Sequence, residues 1–374
     1  MFAFIPILLV YLGLNYFIGW NGSLLLSYYG NPVPQGVYWT LFALMVFAYL
    51  LGRSPFPGGP AGRALKWIGS YYFAFMEFAV IVLPLADLSL WLAKRNGGNP
   101  DVYVPVISSL TLLIFVALLI RGSWNAWNPV VRKYEIEVDK QAGNLKQLRI
   151  AVASDLHLGD IVDNRHLGRL VSIVKEMKPD LVLLPGDVID DVVEPFIRKN
   201  MIEQLKQLTP KYGIYAVLGN HEYYGGHINR YTKHMKENGI PVLQDETVLI
   251  DNSFYVAGRK DKTAQSMDPA GRLSQAELLS GLDHSKPIVL MDHQPYQFQE
   301  AADAGADLML SGHTHRGQFA PNHWVTRRLF ELDWGYLRKH NMHVIVSSGF
   351  GTWGPPIRLA SRSEIVEVKV IFKK

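Results

Sequence analysis

The chain has 374 residues, of which 49% are hydrophobic and 19% charged, with a formal net charge of +4. It has no cysteine, which excludes disulfides, thiolate metal sites, iron–sulfur clusters and cysteine nucleophiles. The charge is mild and no dense basic run carries interleaved aromatics, so nucleic acid is not an expected partner.

Apolar residues are spread unevenly. From Met1 to Ile120 ionisable residues are sparse, and from Arg121 onward charge, turns and short apolar runs alternate as in a globular domain. This predicts a transmembrane domain over 1–122, an interfacial linker with a first strand over 123–148, and a water-facing domain over 149–374. Crossing a bilayer core takes about 20 helical residues, and four stretches suffice: Phe2 to Trp20, Gly36 to Gly52, Leu65 to Leu92 and Val102 to Ile120. Gly/Pro-rich connectors, "RSPFPGGPAGR" and "KRNGGNPD", separate them. The first stretch lacks the basic start of a signal peptide and three more spans follow, so it reads as an anchor.

Arg53, Arg63 and Lys66, with Arg121, Arg132 and Lys133 after the fourth span, outweigh Lys94 and Arg95 on the opposite side. This bias predicts a cell-membrane protein with both termini, and hence the globular domain, in the cytoplasm. Glu77 and Asp87 fall in the third span, where an acid is costly. No transport-like set of charges accompanies them, so they read as an interhelical hydrogen bond and a headgroup-level residue. Trp124 and Trp127 read as an interfacial belt.

From Tyr134 short β-rich runs end in polar residues and alternate with stretches of helical period. "RIAVASD" reads as a buried strand, "NRHLGRLVSIVKEM" as a helix, "LVLLPGD" as a strand, "EPFIRKNMIEQLKQL" as helical and "GIYAVLGN" as a strand. Later strands are "PIVLMDH", "DLMLSGH", "HVIVSSG" and "IVEVKVIF". Strands alternating with helices predict an α/β sandwich with helices outside the sheets.

Polar residues gather where these strands end: Asp155 and His157, Asp187, Asn220 and His221, His293, and His313 with His315. Ligand sites in open α/β sheets lie outside the carboxyl ends of strands. Residues two apart on an extended chain point the same way, so Asp155 with His157 and His313 with His315 are each expected to form a pair. Carboxylate, imidazole and amide donors suit divalent transition ions. So many donors are too many for one ion and suit two, provided a carboxylate bridges them. Asp187, alone at its strand end after a glycine, is the expected bridge.

"SDLHLG", "PGD", "LGNHE", "DHQP" and "GHTH", in that order and each after an apolar run, resemble the calcineurin-like metallophosphoesterase superfamily over roughly residues 145 to 374. The resemblance implies a four-layer α/β/β/α sandwich, preceded here by four transmembrane helices, and a metal-dependent phosphoric ester hydrolase. It also implies two divalent ions, Mn, Fe or Zn. One ion would be held by Asp155, His157, Asp187 and His315, the other by Asp187, Asn220, His293 and His313. His221 would be the general acid or substrate-orienting imidazole and Glu222 the acid that orients it. Two cations would generate hydroxide near neutral pH and clamp phosphate oxygens.

"GNHEYYGG", "GHTHRGQ" and "SSGFGTWGPPIRL" resemble a membrane-associated bacterial branch that cleaves lipid-linked phosphoesters. The pattern departs at Arg316, where that branch has Gly. Arg316 reads either as a fork onto a second phosphate or as a solvated side chain, and Arg358 has the same two readings. The stretch "FAPNHWVTRRLFELDWGYLRKHNMH" mixes Trp324, Leu329, Phe330, Trp334 and Tyr336 with Arg327, Arg328, Arg338 and Lys339. It reads either as a membrane-surface segment or as an ordinary amphipathic insertion. The expected substrate is a lipid or lipid-linked phosphoester or pyrophosphate. The alternatives are a tethered phosphodiesterase for soluble nucleotides and a non-catalytic membrane interaction protein.

Overall fold

Apolar sequence runs decide the first four elements. In the computed structural model, which describes residues 4–54 and 59–373, they form helices α1 (Phe4–Tyr28), α2 (Gln35–Arg53), α3 (Gly59–Arg95) and α4 (Pro100–Trp127). All four are long and apolar enough to cross a membrane. Helix α1 runs past the predicted Trp20, and α3 starts at Gly59, ahead of the predicted Leu65, with Pro60 in its first turn, where a missing N–H costs nothing. Phe2 and Ala3 of the first predicted span, and residues Pro55 to Gly58 of the connector between the second and third, lie outside the described residues. Asn21 Nδ2 of α1 donates to Asp87 Oδ2 of α3 at 3.3 Å, so Asp87 is bonded between helices. The chain divides between Ser123 and Trp124 into two compact units.

In the second unit the chain continues through β1 (Val130–Val138), β2 (Gln147–Val152), α5 (Asn164–Met177), β3 (Leu181–Pro185), α6 (Val193–Arg198), α7 (Ile202–Leu205), β4 (Ile214–Val217), α8 (Asn220–Tyr224), α9 (Ile228–Glu237) and β5 (Val242–Leu243). Then follow β6 (Glu246–Ile250), β7 (Phe254–Gly258), α10 (Ala264–Met267), α11 (Gln275–Leu279), β8 (Ile288–Met291), α12 (Phe298–Asp303), β9 (Leu308–Ser311), α13 (His323–Leu329), β10 (Gly335–Lys339), β11 (Met342–Val346) and β12 (Glu364–Phe372). The single helical stretch expected from Glu194 breaks into α6 and α7 because Asn200 takes a left-handed φ of 48°.

Two sheets result, in the orders β1-β12-β2-β3-β4-β5 and β10-β11-β9-β8-β7-β6. Both faces of the central strands are buried, which explains why they read as unbroken apolar runs. Ile150, Val152, Leu181 and Leu183 face Val289, Met291, Leu308 and Leu310 between the sheets. Ala151, Val182 and Leu184 point the other way, onto Leu167, Leu170 and Val174 of α5, and Leu290 and Met309 pack on Leu279 of α11 and Phe298 of α12. The layers are therefore helix, sheet, sheet, helix. β2, β3 and β4 of one sheet and β8 and β9 of the other deliver their carboxyl ends to one edge.

Candidate metal centre

The donors sit past the strand ends, and the backbone there is not extended. Asp155, His157, Asp187, His313 and His315 all have left-handed φ, at 54°, 46°, 51°, 72° and 47°. Side-chain-bearing residues avoid this region at a cost of about 1–2 kcal/mol each, and where they cluster the surrounding structure must impose it. Here the loop after β2 lies against the loop after β3: Asp155 N donates to Gly186 O at 3.1 Å and His157 N to Asp187 O at 3.0 Å. Space is as tight as the turns. A Cβ at Gly312 would overlap Ser154 Oγ and Asp155 Oδ2, and one at Gly219 would overlap Asp187 Oδ1.

These turns pair the donors differently from an extended chain. Asp155, His157 and His315 bring one atom each within 4.8 Å of one another, and Asp187, His293 and His313 do the same. His313 and His315 thus go to different groups, which corrects the expectation that they pair. In the first group His157 Nε2 and His315 Nε2 are 3.0 Å apart and His315 Nε2 is 3.4 Å from Asp155 Oδ1. In the second, His293 Nε2 is 3.1 Å from Asp187 Oδ2 and 3.2 Å from Asn220 Oδ1, and Asn220 Oδ1 is 2.9 Å from His313 Nδ1. Asp187 also reaches back to the first group, 3.9 Å from His157 Nε2. It also groups with His157 and His221.

Three of the imidazoles are held in the form that suits cations. Burial pulls His157 down to about 3, with the charge of His221 adding to it, and burial with the charge of His293 takes His313 to about 4. Burial and the Arg358 guanidinium hold His315 well below the usual range. These rings are neutral, the ligating form. Burial pushes the Asp187 carboxyl up, but His293 and the other imidazoles outweigh it and hold it charged; His293 is correspondingly raised by Asp187 against its own burial. His293 Nδ1 lies 2.8 Å from Pro185 O, which turns Nε2 toward the donors. Nitrogen and oxygen donors in two groups with a shared carboxylate fit two divalent ions.

His221 lies beside the first group, its ring 4.6 Å from that of His157 between centroids. Its Nδ1 faces Asp191 Oδ1 at 2.8 Å and Asp190 Oδ1 at 3.7 Å. Burial lowers its pKa, but the hydrogen bond to Asp191 and the charges of Asp187, Asp190 and Asp191 prevail and raise it to about 9. The acid facing His221 is therefore Asp191, not Glu222. Glu222 is buried and accepts from three backbone groups: Gly219 N at 2.7 Å and Asp187 N at 3.2 Å on Oε2, and Ile189 N at 3.0 Å on Oε1. It clamps the start of α8 to the Asp187 loop. The sequence signal for the missed acids was the pair "DD" three residues after "GD".

Arg358 is not an anion contact at the surface. It is 0% exposed and donates to Ser348 O, Gly351 O and Ser361 Oγ, with Nη2 3.0 Å from His315 Nδ1. A guanidinium only donates, so it backs the ring of His315 and leaves Nε2 facing the first group. Asn125 Nδ2 donates to Arg358 O at 3.0 Å. Arg316 is half-buried, and its guanidinium lies 4.1 Å from the Trp334 ring centroid. Trp334 Nε1 is held by Glu364. Helix α13 buries none of its residues, and Trp324 and Leu329 are each 67% exposed. Phe330 packs 5.0 Å from Tyr296 and 6.1 Å from His313.

A family model for calcineurin-like phosphoesterases matches residues 148–317. An uncharacterized metallophosphoesterase of Aquifex aeolicus (strain VF5) is 34% identical over 242 residues, which is 64% of this chain and 91% of that protein. A transmembrane protein with metallophosphoesterase domain from Danio rerio is 34% identical over 271 residues, 69% of this chain and 61% of that protein. An uncharacterized metallophosphoesterase of Campylobacter jejuni is 30% identical over 323 residues, 83% of this chain and 81% of that protein.

Proposed function

The chain belongs to the calcineurin-like phosphoesterase family and is a metal-dependent phosphoesterase with four candidate membrane helices, and we propose that it hydrolyses a phosphoester or pyrophosphate of a lipid or lipid-linked substrate. The observation that carries this reading is that Asp187 stands in one donor group with His293 and His313 and in another with His157 and His221. In it, Asp155, His157, Asp187 and His315 hold one ion and Asp187, Asn220, His293 and His313 the other. When bound, two divalent ions supply hydroxide near neutral pH and neutralise the phosphoryl oxygens. Asp191 holds His221 by Nδ1, which leaves Nε2 to donate a proton to the leaving oxygen. Glu222 keeps Asp187 and Asn220 in register.

Residues 1–122 act as the anchor in this reading, and residues 149–374, joined by β1 from the 123–148 linker, carry the chemistry. The charge bias puts that part in the cytoplasm. Lipid is favoured by α13, whose exposed Trp324, Val325 and Leu329 adjoin Arg327 and Arg328. Such a mixture suits the headgroup layer.

The test is turnover by the full chain in proteoliposomes containing a diacyl phosphoester, compared with a cyclic nucleotide and an aryl phosphodiester. Preferred cleavage of the diacyl compound is expected, and its loss on replacing Trp324, Val325 and Leu329 by Ser, with aryl turnover retained. Faster cleavage of the nucleotide overturns the lipid reading. Absence of metal-dependent turnover on every compound overturns the enzyme.

A further inference from the structure

We infer that a cavity beside the metal donors binds the polar part of the substrate as a phosphorylated polyol or sugar, an inference that rests on the phosphoesterase reading above. The cavity measures about 410 Å3, within the range of roughly 300–1,000 Å3 typical of small-molecule sites. Its walls include Lys262, Arg272, Tyr296, Gln297, Glu300 and Glu331.

The chain ties this cavity to the donors at three points. Tyr296 and Gln297 follow His293 within four residues. Phe330, which precedes Glu331, packs on both Tyr296 and His313. Asp292, next to His293, receives Arg272 Nη2 at 2.8 Å.

Arg272 is the observation that points to a ligand. Its side chain is 3% exposed, and its Nε and Nη1 are buried without a hydrogen-bond partner. Asp292 takes Nη2 alone, and two buried guanidinium nitrogens with no acceptor are rare and mark a place where an acceptor belongs. Asp292 is shared, since Arg259 Nη1 also bonds it at 3.1 Å. A second cation stands opposite. Lys262 Nζ lies 3.8 Å from the Tyr296 ring centroid, and no carboxylate among the described residues is within ion-pair distance of it. Arg272 and Lys262 together call for an anion, and phosphate oxygens match a guanidinium's donors.

The remaining wall is of the opposite character. Glu300 presents a carboxylate, and Glu331, whose Oε1 holds Lys339 Nζ at 2.6 Å, keeps its second oxygen; both accept hydroxyl hydrogens. A ligand with a phosphate at one end and hydroxyls at the other satisfies both walls. A bare polyphosphate satisfies only one.

Calorimetric titration of the metal-free full chain in detergent with glucose 6-phosphate tests this without turnover. Glucose 6-phosphate is expected to bind saturably, and at least tenfold more tightly than inorganic phosphate or glucose. Arg272→Gln and, at an exposed position that folding does not depend on, Lys262→Gln are each expected to weaken it tenfold or more. No saturable binding, equal binding of phosphate alone, or parental affinity in Lys262→Gln overturns the inference. Those results leave the phosphoesterase reading standing. A chain that binds glucose 6-phosphate as stated but hydrolyses nothing supports the cavity and removes that reading.

Discussion

Replacing Glu222 by Gln is expected to loosen metal binding and to leave proton transfer alone. Glu222 is 1% exposed and accepts from the N–H groups of Gly219, Asp187 and Ile189. Gln has the same shape but a single acceptor oxygen. In its best orientation it keeps Gly219 and Asp187 on that oxygen and turns its NH2 toward Ile189 N. Burial pushes the Glu222 carboxyl up to about 8, so each bond counts as an ordinary one of about 0.5–1.5 kcal/mol, and a buried donor left unpaired costs about 1–3 kcal/mol. One orphaned N–H and two weakened bonds therefore amount to about 3 kcal/mol. The loss falls on the register of Asp187 with Asn220, which opens α8. Felt wholly in ion affinity, it is roughly a hundredfold. Chelator competition on the full chain measures the affinity, and kcat over aryl phosphodiesters of graded leaving-group pKa measures proton transfer. We expect weaker metal binding and an unchanged leaving-group slope. Parental metal affinity with a steeper slope would refute the reasoning and return Glu222 to orienting His221.

Asp191→Asn removes the carboxylate 2.8 Å from His221 Nδ1 and is expected to lower kcat about 10–100-fold, most for poor leaving groups. Since Asp191 raises the pKa of His221, its loss lowers that pKa, so the alkaline limb of the kcat profile moves to lower pH; an unmoved limb counts against His221 as the acid. Gly312→Ala forces a Cβ into Ser154 and Asp155, and should abolish metal uptake while circular dichroism stays parental. Arg358→Leu strips a donor from four buried acceptors and should destabilise the second unit by about 3–5 kcal/mol, read by hydrogen exchange; a raised KM at unchanged protection would restore Arg358 as a substrate contact.

The layered fold and the seven donors were legible because apolar runs ending in Asp, Asn or His are strong local signals. "NRHLGRLVSIVKEM" coincides with α5 because its apolar stripe, Leu167, Leu170, Val171 and Val174, faces the core. What the sequence hid is conformational and non-local. The left-handed turns at Asp155, His157 and His315 have no glycine to announce them. Those turns replace the extended chain on which His313 and His315 would point the same way. Arg358 sits in a loop whose composition suits the surface, and only the packing of the loop that contains Ser348, Gly351 and Ser361 around His315 reveals it as a brace. Glu222 was read as a partner of its chain neighbour, whereas its bonds run to a loop more than thirty residues away.

The central claim is that Asp187 joins two donor groups into one centre. Manganese analysis with electron paramagnetic resonance on the full chain, stripped and reloaded, measures this directly. We predict two ions per chain with an exchange-coupled signal, and loss of both ions and the signal in Asp187→Ala. One ion per chain, or two uncoupled ions that survive Asp187→Ala, would contradict it.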